Sequence, residues 1–180
     1  MPVNPNLNLQ AMYRKAKFVL NEMKKPKSEK KMSVNGRMAE LMTICKIYKE
    51  IGYVGTVEST NASKIDIFAI PGDGRMAVTI IQVKSIFGAT HIVHFTPADL
   101  EEREGLVWIF VVEVQTDQYA YLVFTHKEIQ ELVKNLEPYV YPDRPPQYDL
   151  TVPKSLKGFE QYHNSWEKIE QNGLTLNKNL

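Results

Sequence analysis

The stretch Lys64–Ile86, KIDIFAIPGDGRMAVTIIQVKSI, reads as two strands joined by a tight turn. Pro71-Gly72-Asp73-Gly74 has the composition of a hairpin turn, so Lys64–Ile70 and Arg75–Ile86 are expected to be antiparallel neighbours. Side chains alternate across a strand, which puts Met76, Val78, Ile80, Gln82, Lys84 and Ile86 on one face and Ala77, Thr79, Ile81, Val83 and Ser85 on the other. Gln82 and Lys84 therefore interrupt an apolar, core-facing stripe. Burying an amide and an ammonium costs several kcal/mol unless each finds a partner, so polar groups must lie opposite them. Asp66, flanked by apolar residues in KIDIFAI, is a charge where a core residue is expected, and the short hairpin can set it beside Gln82 and Lys84.

Before the hairpin, a helical pattern starts near Ser33 or Asn35 and runs through MAELMTICKIYKEIG to a stop at Gly52. Within it Glu40, Ile44, Ile47 and Ile51 share one face, so Glu40 heads an isoleucine stripe directed at the sheet. A strand, Tyr53–Glu58, follows. After the hairpin, Thr96–Leu100 has the pattern of a short capped helix. Leu106–Val114, LVWIFVVEV, is apolar on both faces as a central strand must be. Tyr119–Phe124 reads as a further strand, Thr125 as the cap of a helix through HKEIQELVKN, and Phe159–Gln171 as a final helix. Five of the ten prolines fall between Pro138 and Pro153, where an irregular connection is expected.

The 180 residues suit one compact core. A composition 43% hydrophobic and 24% charged excludes wholesale disorder. The single cysteine, Cys45, excludes an intramolecular disulfide and a cysteine-based zinc module within one chain. No stretch approaches the roughly 20 apolar residues of a membrane span, and MPVNPNLNLQ lacks a signal-peptide layout, so a cytoplasmic protein is expected. The net charge of +1 hides an asymmetry. Residues 1–37 hold nine basic side chains, Arg14, Lys15, Lys17, Lys24, Lys25, Lys27, Lys30, Lys31 and Arg37, against Glu22 and Glu29. Leu9–Met23 reads as an amphipathic basic helix, and Lys24–Lys31 as a solvated linker. A segment of this charge suits the tracking of nucleic-acid phosphates.

Two acids, an amide oxygen and a lysine thus converge from three elements. Hard oxygen ligands from Asp66 and Glu40, completed by Gln82 or a backbone carbonyl, suit Mg²⁺ or Mn²⁺, and such an ion neutralises charge on a phosphate under attack. A lysine beside it can orient or deprotonate the attacking water and stabilise the developing negative charge.

The order helix-Glu40, Asp66, then Gln82-Val83-Lys84, set in GRMAELMTICKIYKEIGY, NASKIDIFAI and VTIIQVKS, resembles the core of the PD-(D/E)XK nuclease superfamily, to which archaeal Holliday-junction resolvases and many restriction endonucleases belong. The resemblance covers about 35–85. It implies an α/β, restriction endonuclease-like fold with a central mixed sheet flanked by helices, spanning 33–180 behind a basic N-terminal helix and linker at 1–32. It implies that Asp66 binds the metal, that Gln82 takes the Asp/Glu position, that Lys84 is the catalytic lysine, and that Glu40 matches the helical glutamate of resolvase-like members. Gln82 and the Val83 carbonyl would help Asp66 and Glu40 hold the ion. The implied activity is Mg²⁺-dependent (or Mn²⁺-dependent) hydrolysis of duplex or branched DNA, with a homodimer supplying two sites for two strands. Ile65 stands where the motif has proline. Gln82 is the larger departure, although restriction enzymes resembling the modified-DNA-cleaving type carry a similar Q-x-K version. Two rivals remain: an inactive member of the fold serving as a DNA-binding or protein-interaction module, and an RNA-processing nuclease.

Other residues take plainer readings. His91 and His94 are read as surface or loop histidines. Asn61, Ser63 and Ser85 suit strand-edge hydrogen bonding, and Cys45 a packed thiol. Trp108, Trp166, Tyr139 and Tyr141 are read as packing residues.

Overall fold

Twenty-four residues, Ser28–Ile51, form helix α1 in the computed structural model, which describes residues 28–57, 65–88, 91–140, 142 and 145–175. The helix begins earlier than its apolar pattern, taking in residues 28–31 of the expected linker. Glu29, Lys30 and Lys31 are good helix formers, so charge without an apolar face still extends a helix whose later turns are packed. The basic helix expected over Leu9–Met23 and the linker up to residue 27 lie outside the described residues.

Gly52, at φ 69°, ends α1 and turns the chain into β1, Tyr53–Val57. β2, Ile67–Pro71, and β3, Ala77–Ile86, form the expected antiparallel hairpin, with Ile67 opposite Ile81, Phe68 opposite Ile80 and Ala69 opposite Thr79. The chain continues through β4, Ile92–Phe95, and a short 3₁₀ turn over Pro97–Asp99. β5, Leu106–Gln115, then lies parallel to β3 and antiparallel to β6, Gln118–Thr125. The order β1-β2-β3-β5-β6 is a mixed five-strand sheet. A two-residue strand, β8 (Leu174–Thr175), pairs with the start of β3.

Both sheet faces are covered, as a strand apolar all round demands. Leu106–Val112 are at most 1% exposed, and burying each large aliphatic or aromatic side chain is worth about 1.5–3 kcal/mol. On one face Ala39, Ile44 and Ile47 of α1 pack with Ile67, Ile81, Val107, Ile109 and Ile169. On the other, Ile86, Trp108, Phe110 and Phe124 pack with Phe95, Ile129 and Val133. Ile129 and Val133 come from α2, His126–Val133, whose N-terminus Thr125 caps reciprocally with Glu128.

Two regions depart from the sequence reading. The proline-rich connection contains β7, Tyr148–Thr151, which pairs with β4 in a separate two-stranded ribbon. Four-residue strands with exposed alternate positions carry too little pattern to register. The expected final helix is split into a 3₁₀ turn, Glu160–Tyr162, and α3, Glu167–Gln171. Between them Asn164 is left-handed at φ 55° and donates its N–H to the Tyr121 carbonyl, while His163 bridges to Leu122. Covering the edge of β6 here outweighs local helix propensity.

Candidate active site

The site forms where β2 parts from β3. Asp66 donates its N–H to the carbonyl of Ile81, the residue Ile67 already faces. Pairing ends there, since β2 begins at Ile67 and Asp66 lies just beyond the ladder. The Asp66 carboxylate then accepts the N–H of Val83 at 2.6 Å, standing in for a backbone acceptor. Burial is the largest influence on this carboxyl and pushes its pKa above the ordinary 3.8, against the Val83 hydrogen bond and the positive charges of Lys84 and Arg37.

Gln82 and Lys84 share the face that carries Ile80 and Ile86, and β5 sets Trp108 opposite Gln82 and Phe110 opposite Lys84. Gln82 is 8% exposed, and its Oε1 is buried with no hydrogen-bond partner. An orphaned carbonyl of this kind costs about 1–3 kcal/mol. The Lys84 ammonium lies 5.5 Å from the centroid of the Trp108 ring, within reach of the attraction between a cation and an aromatic face. The ring is fixed in turn. Trp108 Nε1 donates to His126 Nδ1 at 3.0 Å, and His126 Nε2 lies 2.7 Å from the Glu101 carbonyl. Because indole only donates, Nδ1 must accept, so the proton sits on Nε2 and the imidazole is neutral. Burial, the main influence on His126, lowers its pKa and supports that form.

Glu40 arrives from α1. Its isoleucine stripe packs on the sheet as expected, against the face of Ile81 and Val83, away from Gln82 and Lys84. Glu40 therefore stands on the helix that covers the Ile81 and Val83 face, within electrostatic reach of Asp66 and not across the face of Gln82 and Lys84. Burial raises its pKa above the ordinary 4.5; the Arg37 guanidinium opposes this, and the negative charge of Asp66 adds to it. Arg37 Nη1 and Glu40 Oε2 are 2.6 Å apart. The chain thus links Glu40 to Asp66 and Asp66 to Lys84 by charge, with Gln82 two residues before Lys84 on the same strand. Among the described residues no three His, Cys, Asp or Glu side chains form a group able to hold a metal ion. The acidic contribution is the pair Glu40 and Asp66.

Arg14, Lys15, Lys17, Lys24, Lys25 and Lys27 lie outside the described residues, as do Asn61, Ser63 and Tyr141. Lys30 and Lys31 lie in the first turns of α1, and of the basic set Arg37 alone has a described side chain. His94 is an exposed strand residue with Nδ1 2.7 Å from Asp149 across the ribbon. Cys45 is exposed rather than packed, since it falls off the isoleucine stripe. Tyr139 is exposed as well, while Trp166 is core. The supporting roles of Trp108 and His126 are missing from the sequence reading. Trp108 comes under Lys84 through the parallel pairing of β3 with β5, and His126 through its contact with the Trp108 ring, so both depend on residues far apart in the chain.

No protein-family model matches the chain, and no curated protein matches it. Among solved structures it is similar to a bacterial homing endonuclease, I-Ssp6803I, with a TM-score of 0.48 and 14% identity over 78% of this chain and 92% of that one. Among the described residues no helix is long and apolar enough to cross a membrane.

Proposed function

We propose that the chain is a divalent-cation-dependent endonuclease of the PD-(D/E)XK type, with glutamine in the second acidic position and DNA as substrate. The observation that carries this reading is the Asp66 carboxylate, half-buried and held on the N–H of Val83 inside Gln82-Val83-Lys84, within electrostatic reach of Glu40 and Lys84, with the amide oxygen of Gln82 buried and unpartnered on the same strand. Asp66, Glu40 and Gln82 each cost folding free energy where they stand. A fold that merely needed stability would place apolar residues there.

The donors present fit Mg²⁺ or Mn²⁺. Two carboxylates supply charge, Gln82 Oε1 is a hard oxygen with no other partner, and the Val83 carbonyl lies on the same strand edge as the N–H held by Asp66. When bound, such an ion would neutralise the phosphate under attack and favour ionisation of a nearby water. Asp66 is oriented for ligation by the Val83 hydrogen bond, which fixes its carboxylate without neutralising it. Glu40 would complete the acidic pair or position the attacking water. Lys84, whose ammonium lies over the Trp108 ring, would orient that water and stabilise the negative charge that builds on the phosphate. A protonated lysine donates and cannot accept, so its part is electrostatic. The basic N-terminal segment would hold flanking phosphates, and cutting both strands of a duplex calls for two such sites, which a homodimer supplies.

The neutral side chain of Gln82 favours one second reading, an inactive member of the same fold that binds DNA or protein. Incubating the chain with duplex DNA, branched DNA, single strands and RNA, with Mg²⁺ or with chelator, separates the readings. Chelator-sensitive internal cutting of DNA supports the nuclease. Cutting of RNA alone redirects the substrate class, and binding without cutting supports the inactive module.

A further inference from the structure

Arg37 lies one helical turn before Glu40 on α1, and its guanidinium lies on the solvent side of the site: its side chain is 44% exposed, against 17% for Glu40. Nη1 occupies Glu40 Oε2 at 2.6 Å, and the same positive charge acts on Asp66. The guanidinium therefore supplies counter-charge to Glu40 directly and to Asp66 through its field, and it holds a carboxylate oxygen that a divalent ion could take. An ion ligated through Glu40 Oε2 would compete with the guanidinium for that oxygen. An exposed i,i+3 ion pair is weak enough to exchange. Once displaced, a guanidinium on a flexible stem presents a planar fork of N–H donors matched to phosphate oxygens.

We propose that Arg37 is a resident counter-ion that holds Glu40 until a divalent ion replaces it, and that the displaced guanidinium then binds the phosphate to be cut. This rests on the nuclease reading of the site. Metal loading and substrate binding are thereby coupled through one side chain. The ion releases Arg37 for phosphate, and phosphate bound by Arg37 leaves Glu40 open to the ion.

Calorimetric titration of Mn²⁺ alone into the full chain tests the exchange. Arg37→Gln should bind Mn²⁺ roughly two- to fivefold more tightly, the equivalent of removing one exposed ion pair. Duplex DNA binding, measured in a Lys84→Ala background that leaves the duplex intact, supplies the second reading. Arg37→Gln should weaken it roughly tenfold with Mn²⁺ present and little with chelator, the loss being that of one charge-assisted phosphate contact. If wild type binds Mn²⁺ in an Asp66-dependent manner but Arg37→Gln binds it equally or more weakly, the exchange is wrong and the nuclease reading stands. Equal loss of DNA binding with and without Mn²⁺ makes Arg37 a plain phosphate contact and also overturns the exchange. Absence of any Asp66-dependent Mn²⁺ binding in wild type overturns both.

Discussion

The Asp66 carboxylate accepts the Val83 N–H at 2.6 Å, at the point where β2 stops pairing with β3. One bond thereby does two things. It closes the hydrogen-bonding account of a strand that has lost its neighbour, and it aims a charged group at the start of Gln82-Val83-Lys84. The fork in the sheet and the site are consequently the same feature.

That arrangement predicts a gain in stability when the charge is removed. Burial raises the carboxyl pKa values of Asp66 and Glu40, so the folded chain binds these protons more tightly than the unfolded one. Their contribution is fully present below the ordinary values of 3.8 and 4.5 and is lost as pH rises through the raised ones. Asp66→Asn keeps an acceptor for Val83 and has no charge to desolvate. Its melting temperature should exceed that of wild type at pH 7, by about 2–4 °C for each kcal/mol relieved, and the difference should shrink towards pH 4. An unchanged or lower melting temperature at pH 7 contradicts the assigned cost.

Gln82 gives a second test of the same trade. Gln82→Leu removes an orphaned buried oxygen and leaves an apolar group facing Trp108, so it should stabilise the chain by about 1–3 kcal/mol in urea unfolding. The same variant should bind Mn²⁺ more weakly. A destabilised variant would mean that Gln82 is held by the fold for packing.

The ring under Lys84 can be altered in two steps. Trp108→Phe retains an aromatic face but leaves His126 Nδ1 without its donor, costing about 1–3 kcal/mol of stability. Trp108→Leu also removes the attraction for the ammonium, worth about 0.5–2 kcal/mol. Cleavage by the Leu variant should therefore be slower than by the Phe variant, by up to about tenfold. Equal rates would show that the ring serves packing alone.

Most of the framework is legible in the sequence because it rests on local pattern. The isoleucine stripe of α1, the Pro71–Gly74 turn and the doubly apolar run Leu106–Val112 each specify one element and one environment. Asp66, Gln82 and Lys84 declare themselves by the same logic, as polar residues where the pattern requires apolar ones. The end of the ladder at Asp66 is not legible, since it depends on how β2 leaves β3, nor is the relay Glu101–His126–Trp108 beneath Lys84. Those contacts are made between residues about 15 to 25 apart in the chain, and no local spacing encodes them. The ribbon of β4 and β7 and the break at Asn164 are hidden for a related reason: each is settled by a partner edge and not by the propensity of its own residues.

The most direct test of the account is chelator-sensitive cleavage of duplex and branched DNA by wild type and by Lys84→Ala, with folding of the variant checked by its melting temperature. The account predicts Mg²⁺-dependent internal cutting by wild type and a loss of at least about a hundredfold in the variant, the scale of removing one charge-stabilising donor. Equal cleavage by the two proteins, or cleavage that persists in chelator, would contradict it.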